Sequence, residues 1–248
     1  MSVQQPYLSL ILPAYNEQDR LPATLDAWVA YLSEQRYTWE IVVSDDGSSD
    51  RTSSVALIRA VSDPRIIVVK GPENQGKGAA VRRGMEAARG DVMLSSDADL
   101  AVPPHFTSDA LTIIEAGADI AIGQRSLREY ARTERSLGRL LAGTAVQLTR
   151  RVLGLTFVAD SQCGFKAFRR QAASDVFRQA TVNGFAFDIE LLFLARRMGA
   201  KVVPFHVDVD YRSGSTFDVA KHLPNILRDI VMIRVNALRG TYAVGVHP

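Results

Sequence analysis

Two aspartates in the middle of the chain have the type and spacing of a metal site. Asp97 and Asp99 flank Ala98 directly after the apolar segment Val92–Ser95. Two carboxylates separated by one small residue at a strand end can reach the same hard cation, and oxygen ligands suit Mg²⁺ or Mn²⁺. A polar turn before the next helix would explain the same residues. The triplet therefore predicts a metal site only in combination with other parts of the chain.

A second acidic pair, Asp45 and Asp46, also follows an apolar segment. A carboxylate at this position could accept the imide N–H of a uracil or an amide donor of another base, and an Asx turn is the alternative. Residues 13–17 follow the first apolar segment of the chain in the same way. Their Tyr15 could stack on a base, and Glu17 could accept from a base or a ribose. Both segments are thus candidates for binding a nucleoside.

Alternating strand and helix patterns must position these groups. Such a repeat predicts an α/β fold with a mostly parallel sheet and helices on both faces. Ligands of such sheets bind at the carboxyl ends of the strands. Because all three groups follow strands, we expect them along one edge of the sheet. We predict strands at 8–12, 40–44, 66–69, 92–95 and 119–122, and helices that end near 32, 61, 88 and 116.

The second half of the chain is less regular. It contains an Arg-rich stretch at 125–139, a Gly-containing turn at 160–166 and a Gly/Ser loop at 212–216. No internal repeat or low-complexity linker separates the two halves, which predicts one continuous domain over residues 1–248. The remaining predicted elements are helices at 140–153, 185–198 and 226–238 and a strand at 202–209.

Composition excludes several classes of protein. The 248 residues are 47% hydrophobic and 23% charged, as in ordinary soluble domains. A net charge of +2 gives no global field that would attract nucleic acid. Cys163 is the only cysteine, so no intrachain disulfide forms, which fits a reducing compartment. Because we find no signal peptide pattern and no apolar run of transmembrane length, we expect a cytoplasmic protein.

Motifs in register between residues 13 and 99 resemble family 2 glycosyltransferases of the GT-A fold. The motifs are 13–17, 45–50, 74–78 and 97–99. The resemblance implies that Asp97 and Asp99 hold the metal and the diphosphate of a nucleotide-sugar, and that residues 1–124 form the donor half. The predicted donor-binding residues are Pro13, Ala14, Tyr15, Glu17, Asp45, Asp46, Lys77, Asp97, Ala98, Asp99, Arg212 and Ser215.

The second half narrows this resemblance. Residues 160–168 and 185–192 resemble dolichyl-phosphate β-glucosyltransferases. Related dolichol-phosphate mannosyltransferases typically carry a metal-binding Gln two residues beyond the second aspartate of the triplet, where this chain has Ala101. The difference favours the glucosyltransferase-like branch. It also leaves water and donor phosphate to complete the metal shell.

The resemblance implies an inverting transfer of a hexose, glucose from UDP-glucose, onto a polyprenyl or dolichyl phosphate. Such an acceptor is already anionic at pH 7 and needs no strong general base. Repulsion between acceptor phosphate and donor diphosphate must instead be offset by cationic side chains. We predict that residues 125–248 form the acceptor half. The predicted catalytic residues are Asp99, Asp160, Asp188, Arg125 and Arg212, and the predicted acceptor-binding residues are Arg132, Arg135 and Lys166.

Alternative functions remain open at this stage. A mannosyltransferase-like enzyme would use GDP-mannose. A family 2 transferase with a soluble hydroxyl acceptor would need a general base, for which Asp160 and Asp188 are the candidates. A nucleotide-sugar sensor would bind the donor without catalysis. A nucleotidyltransferase is disfavoured, because residues 13–17 are a poor phosphate cradle.

The last predicted helix offers a route to a lipid substrate. Ile226, Ile230, Ile233 and Ala237 fall on one helical face, with arginines nearby. This pattern is typical of an interfacial helix, and a helix that packs into the core would show it too. We expect either peripheral contact with the cytoplasmic face of a membrane or a membrane-anchored partner. A homodimer also stays open.

Overall fold

The computed structural model describes residues 5–125, 137–155, 158, 160–209 and 219–242, without the side chains of 137–142 and 219–221. Four predicted site residues lie outside the described residues: Arg132, Arg135, Arg212 and Ser215. Among the residues described, no helix is both long and apolar enough to cross a membrane.

The strands and helices follow the predicted alternation through residue 124. The strands are β1 (Leu8–Ala14), β2 (Trp39–Asp45), β3 (Ile66–Lys70), β4 (Val92–Ser95), β5 (Ile120–Gln124), β6 (Lys166–Arg169) and β7 (Val202–His206). The helices are α1 (Leu21–Ser33), α2 (Thr52–Ser62), α3 (Lys77–Ala87), α4 (Thr107–Glu115), α5 (Leu137–Val152), α6 (Arg170–Gln179), α7 (Phe187–Arg197) and α8 (Val219–Leu238).

The strands form one 7-stranded sheet in the order β3-β2-β1-β4-β6-β5-β7. Strands β1 to β4 are parallel, as are β5 and β7, whereas β6 runs antiparallel to both of its neighbours. The predicted mostly parallel α/β fold is therefore confirmed. The prediction of a turn over all of 160–166 was wrong at its end, because Lys166 begins β6 and pairs with Ser95 at the end of β4.

Two apolar layers cover the faces of the sheet. On one face, Leu10 and Leu94 pack with α1 and α4. On the other face, Ile11 and Met93 pack with α3, α6, α7 and α8. Alternate residues of β1 point to opposite faces, so both layers fix the same strand. This fixes the carboxyl ends of β1, β2 and β4 at one edge of the sheet.

The isoleucine face of helix α8 was predicted either to contact a membrane interface or to pack into the core. Ile226, Ile230 and Ile233 are buried in the core layer, so the core-packing alternative is confirmed and this face cannot contact lipid. The helix begins earlier than predicted and contains Pro224 in its first half. The predicted division at residue 124 stays a prediction, and the two halves interleave because β5 lies between β6 and β7.

Candidate active site

The loop after β4 carries the central aspartates, and its backbone is held from several sides. The N–H of Ser96 donates to the carbonyl of Ile11, 3.1 Å away on β1. Leu100 adopts a left-handed conformation with φ 56°, which turns the chain sharply after Asp99. The N–H of Ala101 then donates to Oδ1 of Asp99 at 3.0 Å. The residues between 96 and 101 thus form a tight turn at the carboxyl edge of the sheet.

A lysine from the start of α3 neutralises the first aspartate. The Lys77 ammonium lies 2.5 Å from Oδ1 of Asp97. Burial opposes ionisation of Asp97, but the nearby cations Lys77, Lys166 and Arg125 outweigh it and hold its pKa below the ordinary value. The same carboxylate raises the pKa of Lys77 against the effect of burial. Both groups are therefore charged at neutral pH.

The pKa of Asp99 is shifted in the opposite direction from that of Asp97. Burial and the neighbouring Asp97 carboxylate raise the pKa of Asp99, and Lys77 and Arg20 lower it less. Two carboxylates in one desolvated turn repel each other, so the second ionises with more difficulty than the first. The cationic neighbours therefore favour the ionised form of Asp97 more than that of Asp99.

A buried ion pair lies beneath this turn. Nζ of Lys166 is 2.6 Å from Oδ1 of Asp188 and also donates to the carbonyl of Cys163. Burial raises the pKa of Asp188, although Lys166 and Lys77 oppose this. The side chain of Lys166 is only 2% exposed. Its ammonium is bonded to protein groups, and its predicted contact with an acceptor stays a prediction.

Asp160 is joined to the end of β5 through a bidentate ion pair. Nε of Arg125 lies 2.6 Å from Oδ2 of Asp160, and Nη2 lies 2.9 Å from Oδ1. Burial raises the pKa of Asp160, but the guanidinium outweighs this and keeps the pKa below the ordinary value. The structure therefore brings two of the five predicted catalytic residues, Arg125 and Asp160, together as a charge pair. A carboxylate in this state is a weak base.

The two aspartates after β2 bond differently, Asp45 to a nearby residue and Asp46 to the start of α3. Oδ1 of Asp45 accepts from the N–H and hydroxyl of Ser48 at 3.0 and 2.5 Å, which is the Asx-type alternative. Oδ2 of Asp46 accepts the N–H groups of Gln75 and Gly76 at 3.1 and 2.7 Å. Asp46 therefore ties the end of β2 to the start of α3, and Lys77 follows directly. Both side chains are buried at the predicted edge.

The segment after β1 leaves one aromatic side chain accessible. Tyr15 is 43% exposed, so its ring is available for stacking. Glu17 instead forms a bidentate pair with Arg20, with oxygen–nitrogen distances of 2.6 and 2.7 Å. Burial raises the pKa of Glu17 against the effect of Arg20, and Asp99 and Asp97 raise it further. Glu17 is therefore close enough to Asp97 and Asp99 for their negative charges to raise its pKa.

A family model described as glycosyl transferase family 2 matches residues 9–177. The chain belongs to glycosyl transferase family 2. It is 36% identical to a dolichyl-phosphate β-glucosyltransferase of Trichomonas vaginalis over 94% of this chain and 75% of that protein. It is 31% identical to the dolichyl-phosphate β-glucosyltransferase of Homo sapiens over 95% of this chain and 77% of the human protein. The resemblance stated from the motifs is confirmed.

Solved structures support the fold of this family 2 glycosyltransferase. Glucosyl-3-phosphoglycerate synthase of Mycobacterium tuberculosis, solved with uridine diphosphate, superposes with a TM-score of 0.68 at 21% identity. The match covers 93% of this chain and 79% of the mycobacterial chain. The same synthase was also solved with Mn²⁺ and UDP-glucose, with a TM-score of 0.63. At this level of identity the likeness shows a common fold.

Several residues around the aspartates of this family 2 chain were not singled out by sequence reasoning. A side chain at Gly164 would collide with the carboxylate of Asp97. The Thr24 hydroxyl donates a hydrogen bond to the carbonyl of Ala98 at 2.5 Å. Arg20 forms the bidentate ion pair with Glu17. The sequence shows that α1 has a proline at its start and that Gly164 lies in a predicted turn. Neither feature indicates that Thr24 would contact Ala98 or that Gly164 would contact Asp97.

Proposed function

We propose that this chain is an inverting hexosyltransferase that moves glucose from UDP-glucose onto dolichyl phosphate or another polyprenyl phosphate. The observation that carries the proposal is its identity of 30–36% with dolichyl-phosphate β-glucosyltransferases over more than nine-tenths of the chain. A carboxylate turn at the carboxyl edge of the sheet supports it, since α/β folds bind their ligands there.

Asp97 and Asp99 would hold Mg²⁺ or Mn²⁺ in this enzyme. The donor set fits, because both side chains offer hard oxygen ligands, and burial and repulsion by Asp97, which raise the pKa of Asp99, are effects that a divalent cation would oppose. The described residues contain no group of three His, Cys, Asp or Glu side chains arranged to hold a metal ion, so water and donor phosphate would complete the shell. A bound cation would offset the negative charge of the leaving diphosphate.

The chain's own residues would bind and orient the donor around these carboxylates. Lys77, at the N-terminal end of α3, is placed to contact a diphosphate with its ammonium. Tyr15 is exposed enough to stack on the base. The nucleoside would also contact Pro13, Ala14, Glu17, Asp45 and Asp46, with Arg212 and Ser215 as further proposed donor contacts.

The state of the candidate bases favours a phosphate acceptor over a hydroxyl acceptor. Arg125 holds the pKa of Asp160 low, so this carboxylate is poorly suited to take a proton from a hydroxyl. Asp188 is buried and bonded to Lys166. A phosphate acceptor attacks with an oxygen that has no proton to lose. Arg125 and Lys166, with Arg132 and Arg135, would then reduce the repulsion between the two phosphate groups.

A transfer assay tests the proposal. Purified protein receives radiolabelled UDP-glucose or GDP-mannose, Mg²⁺ or Mn²⁺, and either a short polyprenyl phosphate or 3-phosphoglycerate. We expect a glucosylated lipid from UDP-glucose alone, and none after chelation with EDTA or in Asp99→Ala. Transfer to 3-phosphoglycerate without any lipid product would contradict the acceptor assignment. Donor binding without turnover on any acceptor would favour the sensor.

We also propose peripheral contact with the cytoplasmic membrane face through the outward side of α8. Val231, Met232 and Leu238 are exposed apolar side chains there, with Arg228 and Arg239 exposed beside them. Apolar side chains flanked by arginines suit an anionic lipid interface. Met232→Glu should reduce co-sedimentation with anionic vesicles, whereas Val61→Glu on α2 should not. Equal binding by both variants would rule out this face. A homodimer stays a prediction for sedimentation velocity to test.

A further inference from the structure

Helix α1 contacts the carboxylate turn directly through Thr24. The Thr24 hydroxyl donates to the carbonyl of Ala98, the residue between the two central aspartates, at 2.5 Å. Its own helical carbonyl, that of Arg20, lies farther away at 3.1 Å. A hydroxyl has one proton to donate, so the shorter contact takes it. The bond therefore joins elements that are 74 residues apart.

The surroundings of Thr24 make this bond hard to replace. Thr24 is 2% exposed and lies on the apolar face of α1 that carries Leu21, Leu25 and Trp28. A buried hydroxyl and a buried carbonyl each lose hydration, and the cost is met only if they bond to each other. Leu100 of the turn packs in the same apolar cluster. Helix α1 therefore fixes the turn through both apolar contact and one specific hydrogen bond.

The position of the bond gives it a consequence for the site. The Ala98 carbonyl belongs to the peptide that leads into Asp99, so its orientation sets the direction in which that carboxylate leaves the backbone. We propose that Thr24 is a positioning residue that holds the Asp97 and Asp99 carboxylates in their metal-binding arrangement. This inference rests on the proposed metal role of the two aspartates. Thr24 would act through the Ala98 carbonyl and not as a ligand of the metal.

Three variants separate this role from ordinary packing. Thr24→Val keeps the shape of the side chain and removes the hydroxyl, whereas Thr24→Ser keeps the hydroxyl. Thr149→Val on α5 is the matched control, because its hydroxyl bonds to the carbonyl of Ala145 four residues earlier, at 2.8 Å. The control thus loses a threonine hydrogen bond to a backbone carbonyl, here within one helix, without touching the carboxylate turn.

Two measurements read out the proposal. Calorimetric titration of Mn²⁺ with UDP present should give about 10–100-fold weaker metal binding for Thr24→Val, the loss typical of residues that orient metal ligands. Thr24→Ser and Thr149→Val should bind as the unaltered chain does. Amide hydrogen exchange over residues 96–102, recorded without metal, should rise in Thr24→Val and stay unchanged in Thr149→Val.

The outcomes distinguish a failure of the positioning role of Thr24 from a failure of the proposed metal site. If Thr24→Val binds Mn²⁺ as tightly as the unaltered chain and exchanges at the same rate, Thr24 has no positioning role. The same conclusion holds if Thr24→Ser fails to restore binding or if Thr149→Val loses as much. If the unaltered chain takes up no Mn²⁺ with UDP, the metal site itself is refuted and this inference with it.

Discussion

The ammonium of Lys77 lies 2.5 Å from Oδ1 of Asp97, so a protein cation already accompanies one of the two carboxylates proposed to bind metal. A divalent ion that binds Asp97 must share this carboxylate with the ammonium or replace it. The displaced ammonium would then be available to a donor diphosphate. Lys77 would thus compete with the metal before the donor arrives and assist donor binding afterwards.

Lys77→Gln should separate these two effects. Without nucleotide, Mn²⁺ should bind more tightly because a nearby positive charge is gone, and UDP should bind more weakly in the presence of metal. Each change should be on the order of tenfold, as expected for one partly exposed charge at this distance. Calorimetric titrations in both orders measure it. Lys77→Arg is the charge-preserving control, and unchanged affinities in Lys77→Gln would contradict the competition.

Gly164→Ala should impair the site without unfolding the chain. The added methyl group would overlap the Asp97 carboxylate and force it to move. Mn²⁺ affinity should fall by about tenfold or more, as for other changes that disturb ligand orientation. Gly117→Ala is the control, because nothing lies within 4 Å of its Cβ position and its positive φ costs stability alone. Equal metal binding in both variants would show that Asp97 adapts.

The buried pair of Lys166 and Asp188 should show strong coupling. Lys166→Met leaves a buried carboxylate without its cation and should cost about 3–5 kcal/mol in the free energy of unfolding. Asp188→Leu should have a similar cost, and the double variant should recover part of it because no unpaired charge remains. Urea denaturation of all four proteins gives the coupling energy. Additive losses would mean that the two groups are independent.

The raised pKa of Tyr242 predicts that the folded chain loses stability at alkaline pH. Burial and the hydrogen bond to Glu190, at 2.7 Å, raise its pKa from 10.0 to about 12. Because the folded chain holds this proton more tightly than the unfolded chain does, the contribution is complete below pH 10.0 and disappears as the pH rises towards 12. Urea unfolding at pH 8, 10 and 11 should show a smaller alkaline decline in Tyr242→Phe. A parallel decline in both proteins would assign it to other groups.

The sequence predicted the strands and helices up to residue 124 well because the signal there is local. Strands such as β1 are largely apolar runs, although β1 continues through Pro13 to Ala14, beyond its predicted end at residue 12. The strand–helix repeat implies which strand ends share an edge. Residues 13–17, the Asp45–Asp46 pair and the Asp97–Asp99 turn were thus expected along one edge, whereas Lys77 was implied only by the family resemblance. The structure adds the ion pair between Lys77 and Asp97, which no local pattern indicates.

The second half was harder because its structure depends on contacts between distant residues. Strand β6 begins with a charged residue and spans only Lys166–Arg169, so its pairing with β4 and β5 decides its conformation. Helix α6 was missed although its buried residues Ala173, Val176 and Phe177 have helical spacing in the sequence. The partners of Lys166 and Arg125 lie on other elements, and sequence spacing could not reveal either ion pair.

The position of β5 between β6 and β7 constrains how the chain can be made. Strand β5 ends at Gln124, but both of its neighbours in the sheet come later, from Lys166 and Val202 onward. A chain emerging from the ribosome therefore has β4 with one open edge and β5 without a partner until β6 is synthesised. Domains tend to fold as their segments are synthesised. We infer that the sheet can be completed only after β6 and β7 in the second half of the chain have been made. A break in the chain between β5 and β6 would leave the first fragment with exposed strand edges and a tendency to aggregate.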